Sequence, residues 1–407
     1  MQGRRALLMA GGAALAARRA GAQANPAAVR IGVLTDMSTQ FAAWCGRGSV
    51  VAAQMAAQDF AAAFGSPFRI EVLQADHQNK PDIASSIARR WYDAAGVNAI
   101  LDVPNSAAAL AVNALARDSN HALIVSGSVT EDLTGAACSP NTVHWTIDSW
   151  ALGNGTGRAV IETGGDTWFF VTSDFAGGRA VERAVRAVIE TAGGRVLGST
   201  YPPLGTADYA AFLARARASR AKVIGLSMSG SDLTNCIKQA SEFGIVQGGQ
   251  KLAALVFFLT DVHAIGLQAT QGLQFTEAFY WDLGDSTRIW SRRFAALNEG
   301  RYPTQVQAGV YAGALHYLKA VHAAGSTDGR TVVAAMKARP TDDPLFGRGI
   351  IRADGRKLHD LHLFEVKAPA ESREAWDYYR HLRTIPAAEA FRPLASSTCP
   401  LVAEAAR

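Results

Sequence analysis

Apolar and polar positions alternate along this chain in two repeated series. In the first, short runs at residues 29–34, 69–74, 98–103 and 121–126 are rich in Val, Ile and Leu, and several are almost continuously apolar. Strands buried on both faces have that pattern. Between them the period lengthens. In residues 82–95, Ile83, Ile87 and Trp91 fall at i, i+4 and i+8, one stripe for a sheet to cover, and Pro81 suits a helix start. Ser106 is a plausible N-cap for the next helix. A second series has strand-like runs at 167–172, 195–200, 222–228 and 252–259, with helices opened by Thr206 with Asp208 and by Ser231; Gly244 ends the latter. Strand–helix alternation of this kind predicts α/β, doubly wound parallel sheets, and two such ladders predict two similar lobes. Beyond residue 280 the pattern shifts to helices at 286–297, 304–324 and 331–339. A β-hairpin is expected from 349–352 and 361–366, then an irregular tail with prolines at 369, 386, 393 and 400.

Charge changes the picture at one end only. The formal charge of +5 includes Arg4, Arg5, Arg18 and Arg19, and the first 24 residues hold no acid. Without them the chain is close to neutral at +1, which gives no electrostatic case for a nucleic acid or an anionic membrane. Arg4 and Arg5, the apolar run 6–17 and Ala22-Gln23-Ala24 read as a signal peptide cleaved near Ala24, by the Sec or the twin-arginine route. The run is too short to span a bilayer. Cys45, Cys138, Cys236 and Cys399 fit no zinc or redox spacing. Export permits a disulfide. Cys138 and Cys399 both lie beside prolines and are the expected pair, with four free buried thiols as the alternative.

Candidate chemistry sits in the loops after the strands, where open parallel sheets bind ligands and helix N-termini attract anions. These loops carry Asn105, Ser106, Ser128, Thr130 and Ser229, groups able to hold a carboxylate or to cap a helix. Phe41, Trp44 and Phe175 could cover an apolar ligand. Asp261, at the end of a very apolar run, needs a cation if ionised: a ligand ammonium or a nearby Lys or Arg. Enzyme motifs fail. Residues 225–229 (GLSMS) lack the second glycine of a nucleophile elbow, and 153–157 (GNGTG) lack dinucleotide spacing. His359 and His362 should point to opposite faces of a hairpin. No metal site, cofactor or catalytic residue is expected.

Residues 29–54, VRIGVLTDMSTQFAAWCGRGSVVAAQ, resemble the opening of type I periplasmic solute-binding proteins of the branched-chain amino acid (leucine/isoleucine/valine-binding) family. So do, in order, DVPNSAAALAV (102–112), IVSGSVTEDLTG (124–135), TWFFVTSDFAGG (167–178), VIGLSMSG (223–230) and QGLQFTEAFYWD (271–282). The resemblance implies two flavodoxin-like lobes joined by three crossings, placed near 141–148, 271–280 and 346–363. One lobe would hold residues 25–145 and 278–355; the other would hold 146–277 and 356–407 with the tail. It implies a monomeric extracytoplasmic component of an ABC importer that closes on a small carboxylate ligand and docks on a membrane permease. Ser106 resembles the serine that receives the carboxylate. Ser128 and Thr130 resemble the pair holding carboxylate and amine, Trp44 the aromatic over the ligand, and Asp261 the acid facing the ammonium. Thr39 and Gln40 stand where relatives have Gly-Pro, Cys45 where they usually lack cysteine, and Ala176 where an aromatic is expected. These departures leave the ligand open between amino acids and aromatic or keto acids. A receptor-like ligand sensor and, further off, a hydrolase are the alternatives.

Overall fold

The apolar runs become the strands of two parallel sheets. The computed structural model describes residues 26–405; the leader and cleavage site expected in 1–24 lie outside them. The first sheet holds β1 (Ala28–Thr35), β2 (Arg69–Asp76), β3 (Ala99–Asp102), β4 (Ala122–Val125) and β5 (Thr142–His144), in the order β2-β1-β3-β4-β5. All neighbours are parallel. Side chains alternate across it. Ile31, Val33, Leu101 and Ile124 enter a core shared with helices Gly46–Phe64, Gln305–Ala324 and Gly329–Lys337. Ile100, Leu123 and Val125 face helices Pro81–Asp93 and Ser106–Asp118. The Ile83, Ile87, Trp91 stripe joins the second core, and Gly32 admits the Trp91 ring: a Cβ there would lie 2.4 Å from it.

The second sheet holds β6 (Thr167–Thr172), β7 (Arg195–Thr200), β8 (Val223–Ser227) and β9 (Lys251–Ala254), in the order β7-β6-β8-β9, again parallel. Helices Ala176–Thr191, Ala210–Ala218 and Ser231–Glu242 alternate with its strands. The run expected as a strand at 252–259 is shorter. β9 ends at Ala254, residues 255–258 form a buried loop, and a helix runs Leu259–Ile265. That loop is apolar because it is buried, not because it is paired.

The chain leaves the first sheet after β5 and crosses back after β10 (Gln274–Glu277). After the last helices come β11 (Thr341–Asp343), β12 (Gly347–Ile351) and β13 (Lys357–Leu358), an antiparallel trio in which Ile350 and Ile351 face Leu358 and Lys357. β14 (Leu361–Val366) then crosses to pair with β10. The expected hairpin therefore closes on β13, and the 361–366 strand belongs to a different sheet. The tail is not wholly irregular either: β15 (Tyr379–Ile385) completes the sheet β10-β14-β15. β15 is the edge strand of that sheet and its residues 380–384 are all exposed, so it lacks the apolar run that announces a doubly buried strand. Past β15 the tail returns to the first lobe. Cys138 and Cys399 form a disulfide with Cα atoms 5.6 Å apart, and Arg392 pairs with Glu131 at 2.6 Å. Cys45 and Cys236 are free and buried.

Candidate ligand-binding site

The carboxyl ends of the two sheets face each other and touch. Gln40, in the loop after β1, accepts a hydrogen bond from the Ser231 N–H at the head of the helix after β8 (3.3 Å). Beside it Gly230 has φ 63°, and a Cβ there would sit 2.0 Å from the Gln40 carbonyl oxygen. Across the same seam the Phe41 and Phe175 rings lie 6.0 Å apart, and Trp44 stacks on Phe258 at 4.8 Å. Gly177 meets Ser106 so closely that a Cβ would be 3.0 Å from the serine Oγ. The lobes are closed.

A cavity lies in this seam. Phe41, Trp44, Pro104, Ser106, Gly127 and Val129 line it from the first lobe, and Phe175, Gly177, Gly178, Met228, Ser229 and Val256 from the second. Its volume is about 20 Å³, room for about one water. A metabolite enters only when the rings of Phe41, Trp44 and Phe175 turn or the lobes part. None of the lining residues is charged. What polarises the cavity is backbone. The helices Ser106–Asp118, Ala176–Thr191 and Ser231–Glu242 all start at its wall, and first-turn N–H groups lack intrahelical partners and carry the positive end of the dipole. Three such ends, with the Ser106 and Ser229 hydroxyls, favour an anion. The Trp44 indole N–H is buried without a partner. A larger pocket, about 550 Å³, opens at the amino ends of β9 and β10 beside Lys251 and Gln274. It lies at the edge opposite to where parallel sheets gather their ligands.

The candidates from sequence separate into two groups. Trp44, Ser106, Phe175 and Ser229 line the cavity. Asn105, Ser128, Thr130 and Asp261 do not. Asn105, rather than Ser106, is the N-cap: its Oδ1 accepts from Ala108 N–H (2.9 Å), and its Nδ2 donates to Asn79 (2.6 Å). Ser106 is the first helical residue and its hydroxyl is free to face the seam. Ser128 stands behind it, donating to Ser106 Oγ at 3.2 Å. Thr130 caps the turn Glu131–Thr134. Asp261 sits in the first turn of the helix Leu259–Ile265, not at a strand end, and accepts from the Phe258 N–H (2.9 Å). No Lys or Arg pairs with it among the described residues. Burial instead pushes its carboxyl up to about 8, and raises the neighbouring Glu277 well above the usual range. Both are held protonated, which meets the need for a cation in another way.

Three glycines and several apolar residues of the lining escaped the sequence reading. Gly127, Gly177 and Gly178 offer no side chain to read, yet a Cβ on Gly178 would be 2.4 Å from the Ser173 carbonyl. Val256 lay inside an expected strand. Asp102 forms the floor behind them: fully buried between Thr35 and Ser49, with φ 80° and a carboxyl raised to about 7 by burial. The enzyme-like motifs resolve into packing. Residues Gly153–Gly157 are a π turn in which a Cβ on Gly155 would strike Thr276. His359 meets the Trp145 carbonyl at 3.1 Å while His362 faces His381 at 3.3 Å.

A model of the periplasmic binding protein family matches residues 28–372. The chain belongs to this family. A periplasmic binding protein from Burkholderia mallei is 44% identical, with a TM-score of 0.88 over 92% of this chain and 99% of that one. A branched-chain amino acid ABC transporter periplasmic ligand-binding protein from Burkholderia xenovorans LB400 is 37% identical, with a TM-score of 0.82 over 92% and 100%. Among curated relatives, Leu/Ile/Val-binding protein homolog 6 of Brucella melitensis is 23% identical over 321 residues, 77% of this chain and 81% of its own. Periplasmic binding proteins are non-enzymatic transport components that bind small molecules and work with ABC permeases. No helix among the described residues is long and apolar enough to cross a membrane.

Proposed function

We propose that this chain is the extracytoplasmic substrate-binding component of an ABC importer, exported by its leader and closing two lobes around one small carboxylate. Residues 25–145 with 278–355 move as one lobe and 146–277 with 356–385 as the other; the tail beyond β15, expected from sequence to go with the second lobe, is tied to the first by Cys138–Cys399 and Arg392–Glu131. The observation that carries the reading is the convergence of three helix N-termini and two serine hydroxyls, from both lobes, on one uncharged cavity. Ser106 and Ser229 bind the carboxylate with the first-turn N–H groups. Trp44, Phe41 and Phe175 cover its apolar part, and Ser128 and Thr130 hold the Ser106 wall in place. Because the ligand touches both lobes it stabilises closure, and the closed monomer is the form a permease recognises.

The test is a thermal-shift and X-ray scattering screen of the mature protein against amino acids, keto acids and aromatic acids. A ligand at a hundred times its Kd adds about 2.7 kcal/mol to stability and should shrink the radius of gyration. A shape indifferent to every member of the screen, or turnover of any of them, would refute the proposal.

A further inference from the structure

The charge inventory of the seam narrows the ligand further. An α-amino acid brings an ammonium as well as a carboxylate, and a buried ammonium without a counter-ion is strongly disfavoured. The cavity lining offers no acid. The carboxylates on the bordering loops are committed elsewhere. Asp36 accepts from the N–H groups of Ser38, Thr39 and Phe41 and from the Thr39 hydroxyl. Asp148 is adjacent to Ser149, whose N–H bonds the carbonyl of the lining residue Val129. It is held by the buried Arg356 at 3.2 Å and caps Ala151. Glu131 is paired with Arg392 and Asp174 with Arg179. Asp232 takes the Ser173 hydroxyl and the Gly205 N–H. Asp261 is spent on the Phe258 N–H and keeps its proton. Asp102 is the exception: neither of its oxygens has a hydrogen-bond partner, but it is fully buried behind the Gly127 wall, where a Cβ on Gly127 would already lie 2.9 Å from its Oδ1, and burial disfavours its charged form.

The remaining surface is apolar: three aromatic rings, Val129, Met228 and Val256. Resting on the reading of the seam as a carboxylate-binding cleft, we infer that the ligand is a monocarboxylic acid with a flat or branched apolar body and no ammonium group. The helix ends supply the positive potential for its one charge, and nothing supplies a negative one.

Matched pairs that differ only at the α-position test this by calorimetry on the mature protein: 3-phenylpropanoate against phenylalanine, and 4-methylpentanoate with its 2-oxo derivative against leucine. At least one acid is expected to bind ~100-fold or more tightly than its amino acid, the scale of one uncompensated buried charge. An amino acid binding as tightly as its partner overturns the inference and leaves the carboxylate reading standing. The methyl ester of the tightest acid separates the two: binding equal to that of the free acid overturns the carboxylate reading itself. If neither acids nor amino acids bind while uncharged amides do, both fall together.

Discussion

Substituting Gly230 by alanine should uncouple ligand binding from folding. The glycine has φ 63° and ψ −141°, a region other residues enter at a cost of about 1–3 kcal/mol. That cost falls on the second lobe whether the protein is open or closed. A separate cost appears only on closure: the new methyl carbon would sit 2.0 Å from the Gln40 oxygen, where contacts below 3.0 Å are essentially never found, so the lobes must part by about 1 Å. Parting them forfeits the Ser231–Gln40 hydrogen bond, about 1 kcal/mol. It also loosens the Phe41–Phe175 and Trp44–Phe258 pairs, about 0.5–1.5 kcal/mol each. The closed state thus loses about 2–4 kcal/mol, which is roughly 30- to 1000-fold in Kd. Gly266→Ala is the control, because Gly266 has φ 95° but its added Cβ meets nothing within 4 Å. Both variants should melt a few degrees lower than wild type without ligand. Only Gly230→Ala should lose affinity by calorimetry and compaction by scattering. Wild-type affinity in Gly230→Ala, or an equal loss in Gly266→Ala, would refute the reasoning that this seam closes on the ligand.

Three further outcomes are expected. Ser106→Ala should weaken binding by about 1–2 kcal/mol with little change in the melting point of the empty protein, whereas Asn105→Ala should lower that melting point by removing a cap worth about 1 kcal/mol; a reversed pattern in paired calorimetry and melting runs would exchange their roles. Asp261 is raised to about 8 and Glu277 is raised too, so the folded protein keeps protons that the unfolded chain gives up above pH ~4; the contribution of Asp261 is complete below that pH and is lost as pH rises through about 8, and Glu277 acts in the same direction. The melting point should therefore drift downward between pH 5 and 9, and Asp261→Asn should flatten the slope while leaving ligand affinity near wild type; an unchanged slope counts against the buried acids as its source. Replacing Cys138 and Cys399 together by serine should cost about 2–4 kcal/mol in denaturant unfolding, and a loss near zero would show that the tail is held by packing alone.

The parts of this protein that are legible in sequence are those where burial dictates composition. β3 and β4 are covered on both faces, so their apolar runs could hardly be read otherwise. The stripe of Ile83, Ile87 and Trp91 likewise announces a helix on a sheet. The same rule misleads at residues 255–258, which are equally apolar because they are equally buried, yet lie beyond the end of β9, with only the Leu255 N–H still bonding β8. Partner choice is a tertiary matter: nothing local tells 361–366 to prefer β10 over the nearer β12. In the site, side chains that face a loop end could be named from sequence, as Trp44, Ser106, Phe175 and Ser229 were. Asp261 could not be placed, since a first-turn carboxylate and a ligand counter-ion need the same residue type. The glycines of the seam were silent because their contribution is the absence of a side chain.

The bond between Cys138 and Cys399 spans 261 positions, and the stretch it encloses contains every passage between the lobes, the return of the tail included. Topologically the molecule is a large ring preceded by the first four strands of the first sheet. A protease that nicks any single exposed loop inside that ring, on either lobe, opens the ring without dividing the molecule. Two fragments would separate only once a reductant is added, so a clipped protein would still run as one species on a non-reducing gel.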